Sequence, residues 1–238
     1  MNETFKSLLW AAAIALLIRC FAYEPFSIPS SSMVPTLQVG DFLFVSKFEY
    51  GYSAKSSFFG IPLFDGRTSD ARPKRGDVVV FKLPANTSTD YIKRIIGLPG
   101  DRLQVVQGRL YINDQLVERK FVREITVDKG QGRSTQVREY TELLPNGVSH
   151  TIYEEGDNRP QDNTPVYEVP PNHYFGMGDN RDNSADSRVM NLVGYIPEEN
   201  LVGKAKMIFF SLKEGTRFLE FWRWPFDIRF SRIFSDIR

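Results

Sequence analysis

A serine hydroxyl attacks nothing until a base takes its proton, so a hydrolase built on serine must show a partner base. The chain holds only two histidines, His150 and His173, which leaves little material for a Ser/His/Asp arrangement. Lysine can stand in for histidine only when neutral, and at a free pKa near ~10.4 fewer than about one in a thousand are neutral at pH 7. Burial against apolar surface lowers that value. The residue to look for is therefore a lysine on a buried strand, and Tyr91-Ile92-Lys93-Arg94-Ile95-Ile96 contains one. Side chains alternate along a strand, so Tyr91, Lys93 and Ile95 share one face and Ile92, Arg94 and Ile96 the other. Both faces are otherwise apolar, and of the two bases only lysine can lose its proton in a protein. A lysine guarding a strand edge against aggregation fits the same pattern.

The serine for such a base lies in Ile28-Pro29-Ser30-Ser31-Ser32-Met33-Val34-Pro35-Thr36-Leu37. Pro29 and Pro35 restrict the backbone on either side, so the loop can fix a hydroxyl and neighbouring N–H groups as an oxyanion hole requires. A polar linker has the same composition. A third segment, Gly176 to Arg188, is dense in carboxylates and amides. It lacks the ligand spacing and closing glutamate of a calcium loop. Asp and Arg two residues apart can instead form a charge-assisted pair that fixes the loop and sets Ser184 in place.

Composition narrows the field further. A net charge of +1 from 30 basic and 29 acidic residues offers no footprint for nucleic acid. The single cysteine, Cys20, makes neither an internal disulfide nor a thiolate zinc site. Neither histidine stands in a metal-ligand spacing, and both read as ordinary surface or turn residues. No metal and no organic cofactor is expected.

The elements that must position these residues are strands. After Tyr23 the sequence runs in short Val, Ile, Phe and Tyr stretches broken by Gly, Pro, Asn and Asp. Asp41 to Phe48, Asp77 to Leu83, Tyr91 to Ile96 and Lys204 to Ser211 read as strands, and Leu103 to Val106 with Leu110 to Asn113 as a hairpin turning at Gln107-Gly108-Arg109. No stretch between Pro25 and Phe210 keeps a helical period, so one all-β domain is expected behind an N-terminal helix. Glu49 to Arg75 reads as a long loop. The more polar stretch from about residue 118 to 171 reads as an inserted small β subdomain.

Ser7 to Ile18 is uncharged between Lys6 and Arg19. That run is short of the ~20 residues of a span, but with both basic side chains snorkelling, Phe5 to Tyr23 reaches about 28 Å as a helix. A retained anchor over residues 1–23 is expected, against a cleavable secretory signal ending at Cys20-Phe21-Ala22. Residues 218–238 interleave Phe, Trp and Ile with Arg and Asp, which suits a membrane interface or an amphipathic segment packed on the domain.

Four motifs in order resemble the bacterial type I signal peptidases: S-M-x-P-T-L at Ser32 to Leu37, R-G-D-V-V-V-F at Arg75 to Phe81, Y-I-K-R-x-x-G-L-P-G-D at Tyr91 to Asp101 and G-D-N-R-D-N-S-x-D-S-R at Gly178 to Arg188. The resemblance spans Glu24 to about Phe210. It implies an antiparallel β catalytic domain in which Ser32 is the nucleophile and Lys93 the general base of an acyl-enzyme mechanism. Ser30 and the backbone N–H of Ser32 would form the oxyanion hole. Ser184 would orient the lysine, Asp186 and Arg188 would form the supporting salt bridge, and Asp179 and Arg181 would brace the same loop. Tyr91, Phe81 and Met177 would wall Lys93 from water, and Phe26, Ile28, Pro29, Leu37 and Ile92 would line the substrate pockets. Gly176 departs from the family, which often carries a bulkier apolar residue there, so shielding on that side is in question.

The resemblance further implies secretory preproteins, exported by Sec or Tat routes, as substrates cut after a small-x-small site. The enzyme would be anchored once in the bacterial cytoplasmic membrane, in contact with lipid, with its catalytic domain on the outer face. A related Ser/Lys protease that cleaves itself or a repressor would lack the apolar N-terminus and add a DNA-binding helical domain. A non-catalytic β scaffold would have lost Ser32 or Lys93.

Overall fold

The computed structural model describes residues 3–53, 67–128, 134–216 and 219–238. Helix α1 (Glu3–Phe21) leads into β1 (Tyr23–Ser27) and β2 (Asp41–Ser46). Then come β3 (Val78–Leu83), β4 (Asn86–Gly97), β5 (Arg102–Val106), β6 (Arg109–Ile112) and β7 (Gln115–Leu116). The longest hairpin is β8 (Glu118–Asp128) with β9 (Ser134–Leu143), followed by β10 (Ser149–Glu154) and β11 (Tyr167–Glu168). The chain returns through β12 (His173–Met177), β13 (Ile196–Pro197) and β14 (Leu201–Ser211), and closes with α2 (Trp224–Asp227) and β15 (Ser235–Asp236).

The main sheet is antiparallel in the order β1-β2-β14-β3-β4-β12-β13, with β15 added beside β14. The apolar runs supply its strands for a simple reason: Val78 to Phe81 and Lys93 to Gly97 are buried at every position, so neither stretch alternates as a half-exposed strand would. Register sets Val79 opposite Lys93 and Phe81 opposite Tyr91. One core cluster gathers Ile28, Met33, Leu37, Leu43, Val80 and Ile208 under the loop after β1. Another packs Tyr50, Val79, Phe81, Ile95, Ile196 and Leu201 on the other side of β3 and β4.

Two smaller sheets complete the β structure, β10-β9-β8 and β11-β5-β6-β7. The turn between β5 and β6 places Gln107 and Gly108 at φ 49° and 69°, the two positive angles that a two-residue hairpin turn of the primed type needs. The expected subdomain over about 118–171 divides here, because Glu118 to Glu154 make their own sheet while Tyr167 and Glu168 pair with β5. Residues 54–66 of the expected loop over 49–75, and Lys129 to Gly132, lie outside the described residues.

Helix α1 stops at Phe21 because Tyr23 already pairs with Ser46. Among the described residues no helix is long and apolar enough to cross a membrane; the uncharged run of α1 is short, as its sequence indicates. Phe5, Leu8, Leu9, Trp10 and Ile14 of α1 stand exposed. The last residues fold back on the main sheet, where β15 pairs with β14 and Ile237 is buried in the first core cluster.

Candidate active site

Strand β4 carries Lys93 into the interior, where it is 3% exposed. Its Nζ donates to Ser32 Oγ at 2.8 Å and to the Ile92 carbonyl at 2.8 Å. The Tyr91 ring, two residues away on the same face, lies 5.4 Å from Nζ by its centroid. Burial lowers the Lys93 pKa to about 8 against the opposing pull of the Asp186 and Asp179 carboxylates, and Arg188 lowers it slightly further. Arg94 is fully buried too, so β4 takes a base into the core on each face.

Ser32 sits on the turn that follows Ile28. Its hydroxyl lies 3.3 Å from that of Ser30. Asn180 pins the turn from the neighbouring loop: its backbone N–H donates to the Ser32 carbonyl at 3.1 Å and its side chain to the Ser31 carbonyl at 3.0 Å. Thr36 donates to Asp179. Arg94 holds Asp179 with two bonds of 2.8 and 2.7 Å. These contacts tie the Ser32 turn to β4 through the 178–188 loop. Asn180, Thr36 and Arg94 stand in the quoted motifs, but spacing alone gave them no role.

Asp186 and Arg188 form a bidentate pair at 2.9 and 2.8 Å, and Asp186 also accepts from the Gly178 N–H at 3.0 Å. Burial opposes ionisation of Asp179 and Asp186, yet Arg94 and Arg188 hold both carboxyls below the ordinary range. Asp179 and Arg181 do not pair with each other. The chain turns at Asn180, so Asp179 faces Arg94 while Arg181 reaches Glu142 of β9 at 2.8 Å. Ser184 is buried beside Asp186, whose charge it favours, but its hydroxyl makes no well-formed hydrogen bond and none to Lys93. The lysine amine is turned instead to Ser32 and Ile92.

Three other expectations meet a different arrangement. Met177 is buried in the cluster around Phe175 and Leu103, opposite Arg94 in register, which is the face of β4 away from Lys93. Its place is taken by Ile196, whose Cδ1 fills the space over Gly176. Leu37 is fully buried in the core and does not line the cleft. His150 is no surface residue: β10 buries it with Nε2 3.5 Å from Glu142 and 3.8 Å from Asp179, and burial pushes its pKa down to about 4.

Ser32 and Lys93 open on a cleft of about 440 Å³, lined by Phe26, Ile28 and Pro29 from one side and Tyr91 and Ile92 from the other. Both flanking strands present a free edge among the described residues. β1 pairs only with β2, and β4 meets β12 only from Arg94 onward.

This antiparallel β frame, with a buried lysine donating to a serine at the wall of an open cleft, defines a serine-hydrolase type of site. Residues 1–210 match the family described as Signal peptidase, peptidase S26, and the chain belongs to that family of serine peptidases. A "Signal peptidase I" of Rickettsia typhi is 41% identical over 100% of this chain and 94% of its own. One from Rickettsia canadensis is also 41% identical, over 99% and 93%. A crystal structure of a signal peptidase I from Enterococcus faecalis V583 is 26% identical, covering 57% of this chain and 98% of its own with a TM-score of 0.33.

Proposed function

We propose that this chain is a membrane-anchored endopeptidase that removes N-terminal signal peptides from secreted preproteins, with Ser32 as nucleophile and Lys93 as general base. The observation that carries this reading is the 2.8 Å contact between Lys93 Nζ and Ser32 Oγ inside a buried, apolar wall. In the neutral form Lys93 accepts the Ser32 proton as the oxygen attacks the scissile carbonyl. The Ser32 backbone N–H and the Ser30 hydroxyl receive the developing oxyanion. Lys93 then delivers the proton to the leaving amine, and a water deprotonated by the same amine releases the acyl group from Ser32.

An extended peptide suits the cleft because the free edges of β1 and β4 can both offer backbone hydrogen bonds. Phe26, Ile28, Pro29 and Ile92 leave shallow apolar space for small side chains before the cut. Asp186 and Arg188, with Asp179 and Arg181, hold the loop behind the dyad, and Ser184 is buried in that loop. Anchoring rests on α1 and on aromatic rings continuing from it: Tyr23 lies 6.1 Å from Phe44, which stacks on Phe209 at 4.3 Å, while Phe221, Trp222, Phe226, Phe230 and Phe234 project into solvent. On this reading the catalytic domain stands on the outer face of the cytoplasmic membrane, where exported preproteins emerge.

Purified protein incubated with a synthetic preprotein segment, and the products mapped by mass spectrometry, tests the reading. A single cut after the small-x-small site, absent in Ser32→Ala, is expected. No cut, or the same cut by Ser32→Ala, overturns it.

A further inference from the structure

The turn bearing Ser32 is held from two directions. Asn180 and Asp179 hold it from the 178–188 loop, and a second set of contacts reaches it from residues far along the chain. Arg232 donates to the Thr36 carbonyl at 3.0 Å and grips Asp41 through both Nε and Nη2. Arg229 donates to the Val39 carbonyl at 2.7 Å and to Gln38 at 2.6 Å. The carbonyl oxygen of Arg238 accepts from Arg94 Nη2 at 3.0 Å, the same nitrogen that holds Asp179. Between these polar points Ile237 enters the cluster that contains Ile28, Met33 and Leu37.

Thr36 is thereby fixed at both of its polar ends, the carbonyl by Arg232 and the hydroxyl by Asp179. A misplacement of about 1 Å in a nucleophile can cost on the order of a hundredfold in rate, so this second set of contacts bears on more than folding. We infer that residues 229–238 are a positioning strap for the nucleophile, holding the Met33–Asp41 turn so that Ser32 Oγ stays in line with Lys93. The inference rests on the peptidase reading above. The strap lies behind the turn and does not line the cleft, so it acts on the chemical step and leaves peptide binding alone.

The test is steady-state cleavage of the preprotein segment by Arg232→Gln, Arg232→Lys and Ile237→Val. Each is assayed well below its own melting temperature, with the folded fraction measured by circular dichroism. Val122→Ala, exposed and outside the strap, serves as control. Arg232→Gln should lose about tenfold or more in kcat with KM unchanged within about twofold and with the midpoint of the pH profile unmoved, since the wall around Lys93 is intact. Arg232→Lys should recover only part of the loss, because an ammonium cannot span Asp41 and the Thr36 carbonyl as a guanidinium fork does. Ile237→Val should show a smaller kcat loss of the same kind. Folded Arg232→Gln with wild-type kcat, or a loss fully accounted for by the unfolded fraction, overturns the strap while an inactive Ser32→Ala leaves the peptidase reading standing. If Ser32→Ala cleaves like the wild type, both fall.

Discussion

Ile196 Cδ1 lies 2.9 Å from the point where a side chain on Gly176 would begin, and Lys93 Cβ lies 3.0 Å from that same point. The small residue on β12 and the large one on β13 thus form one complementary surface over the lysine. Shielding that a bulkier residue at position 176 would have given comes from the next strand instead. Ile196→Ala should let water reach Lys93 and relieve the desolvation that lowers its pKa to about 8. The neutral fraction at pH 7 then falls, so the rising limb of kcat/KM against pH should move to higher pH. The same change should destabilise the fold by about 2–5 kcal/mol. A pH profile superimposable on the wild type would show that Ile196 is not what keeps the lysine dry.

The same burial makes Lys93 a cost to folding. Its pKa is about 10.5 in the unfolded chain and about 8 in the folded one. Below pH 8 both states hold the proton and the folded state bears the whole penalty, on the order of 3 kcal/mol. Between pH 8 and 10.5 the unfolded state binds more protons, so stability rises with pH until the penalty is gone. Lys93→Met should be inactive yet more stable than the wild type at pH 6.5, and the gap should close by about pH 10.5. Urea denaturation at the two ends of that window measures it; a gap independent of pH would mean that the lysine is not held against its charge.

Arg94 and Asp179 are 0% and 1% exposed at their side chains, and each would be left as an uncompensated buried group by loss of the other. Asp179→Asn should cost about 3–5 kcal/mol, and combining it with Arg94→Met should recover much of that loss. The double-mutant cycle by denaturation gives the coupling directly. Additive losses would place the stabilisation elsewhere, in Thr36 or Gly76.

How much of this could be read from the sequence depends on whether the signal was local. The antiparallel β frame could, since Val78 to Leu83 and Tyr91 to Ile96 combine β-branched residues with strand length. Tyr23 to Ser27 is not legible as a strand, because Glu24, Pro25 and Ser27 do not resemble one; β2 recruits them as an edge. The choice of charge partners was not legible. An Asp and an Arg two residues apart pair at 186 and 188 but part company at 179 and 181, because the backbone turns between the latter. His150 looked like a surface residue in a polar stretch, yet the alternation of β10 turns it inward. Ile196 and the strap residues reach the site across long separations, and no local pattern announces such contacts.

On the anchoring proposed above, association with lipid should depend on α1 and on the aromatic face together, because the uncharged run of the helix is short. Leu8→Asp with Leu9→Asp should weaken retention in the membrane pellet after alkaline carbonate washing, and Phe226→Asp with Phe230→Asp should weaken it further. Full retention of the combined variant would assign the anchoring to neither surface.

Gly178 stands between the two loops of the site. A Cβ there would fall on the Ser184 hydroxyl and Cβ and on the carbonyl oxygen of Ser32. The Ser184 hydroxyl can rotate away but its Cβ, 2.5 Å from that point, cannot, and the carbonyl belongs to the Ser32 backbone and can yield only if the Ser32 turn shifts. That shift would break the 3.1 Å bond from the Asn180 N–H to the Ser32 carbonyl and carry the Ser32 hydroxyl off Lys93. Gly178→Ala should therefore lower kcat by about a hundredfold, the scale expected of an ångström-level misplacement, while the folded protein still binds the peptide. Adding Ser184→Gly removes both Ser184 clashes and leaves the one with the Ser32 carbonyl, so the double variant should remain about as slow. Recovery of the wild-type rate in the double variant would locate the obstruction at Ser184, and the Ser32 carbonyl would then not be what requires glycine at position 178.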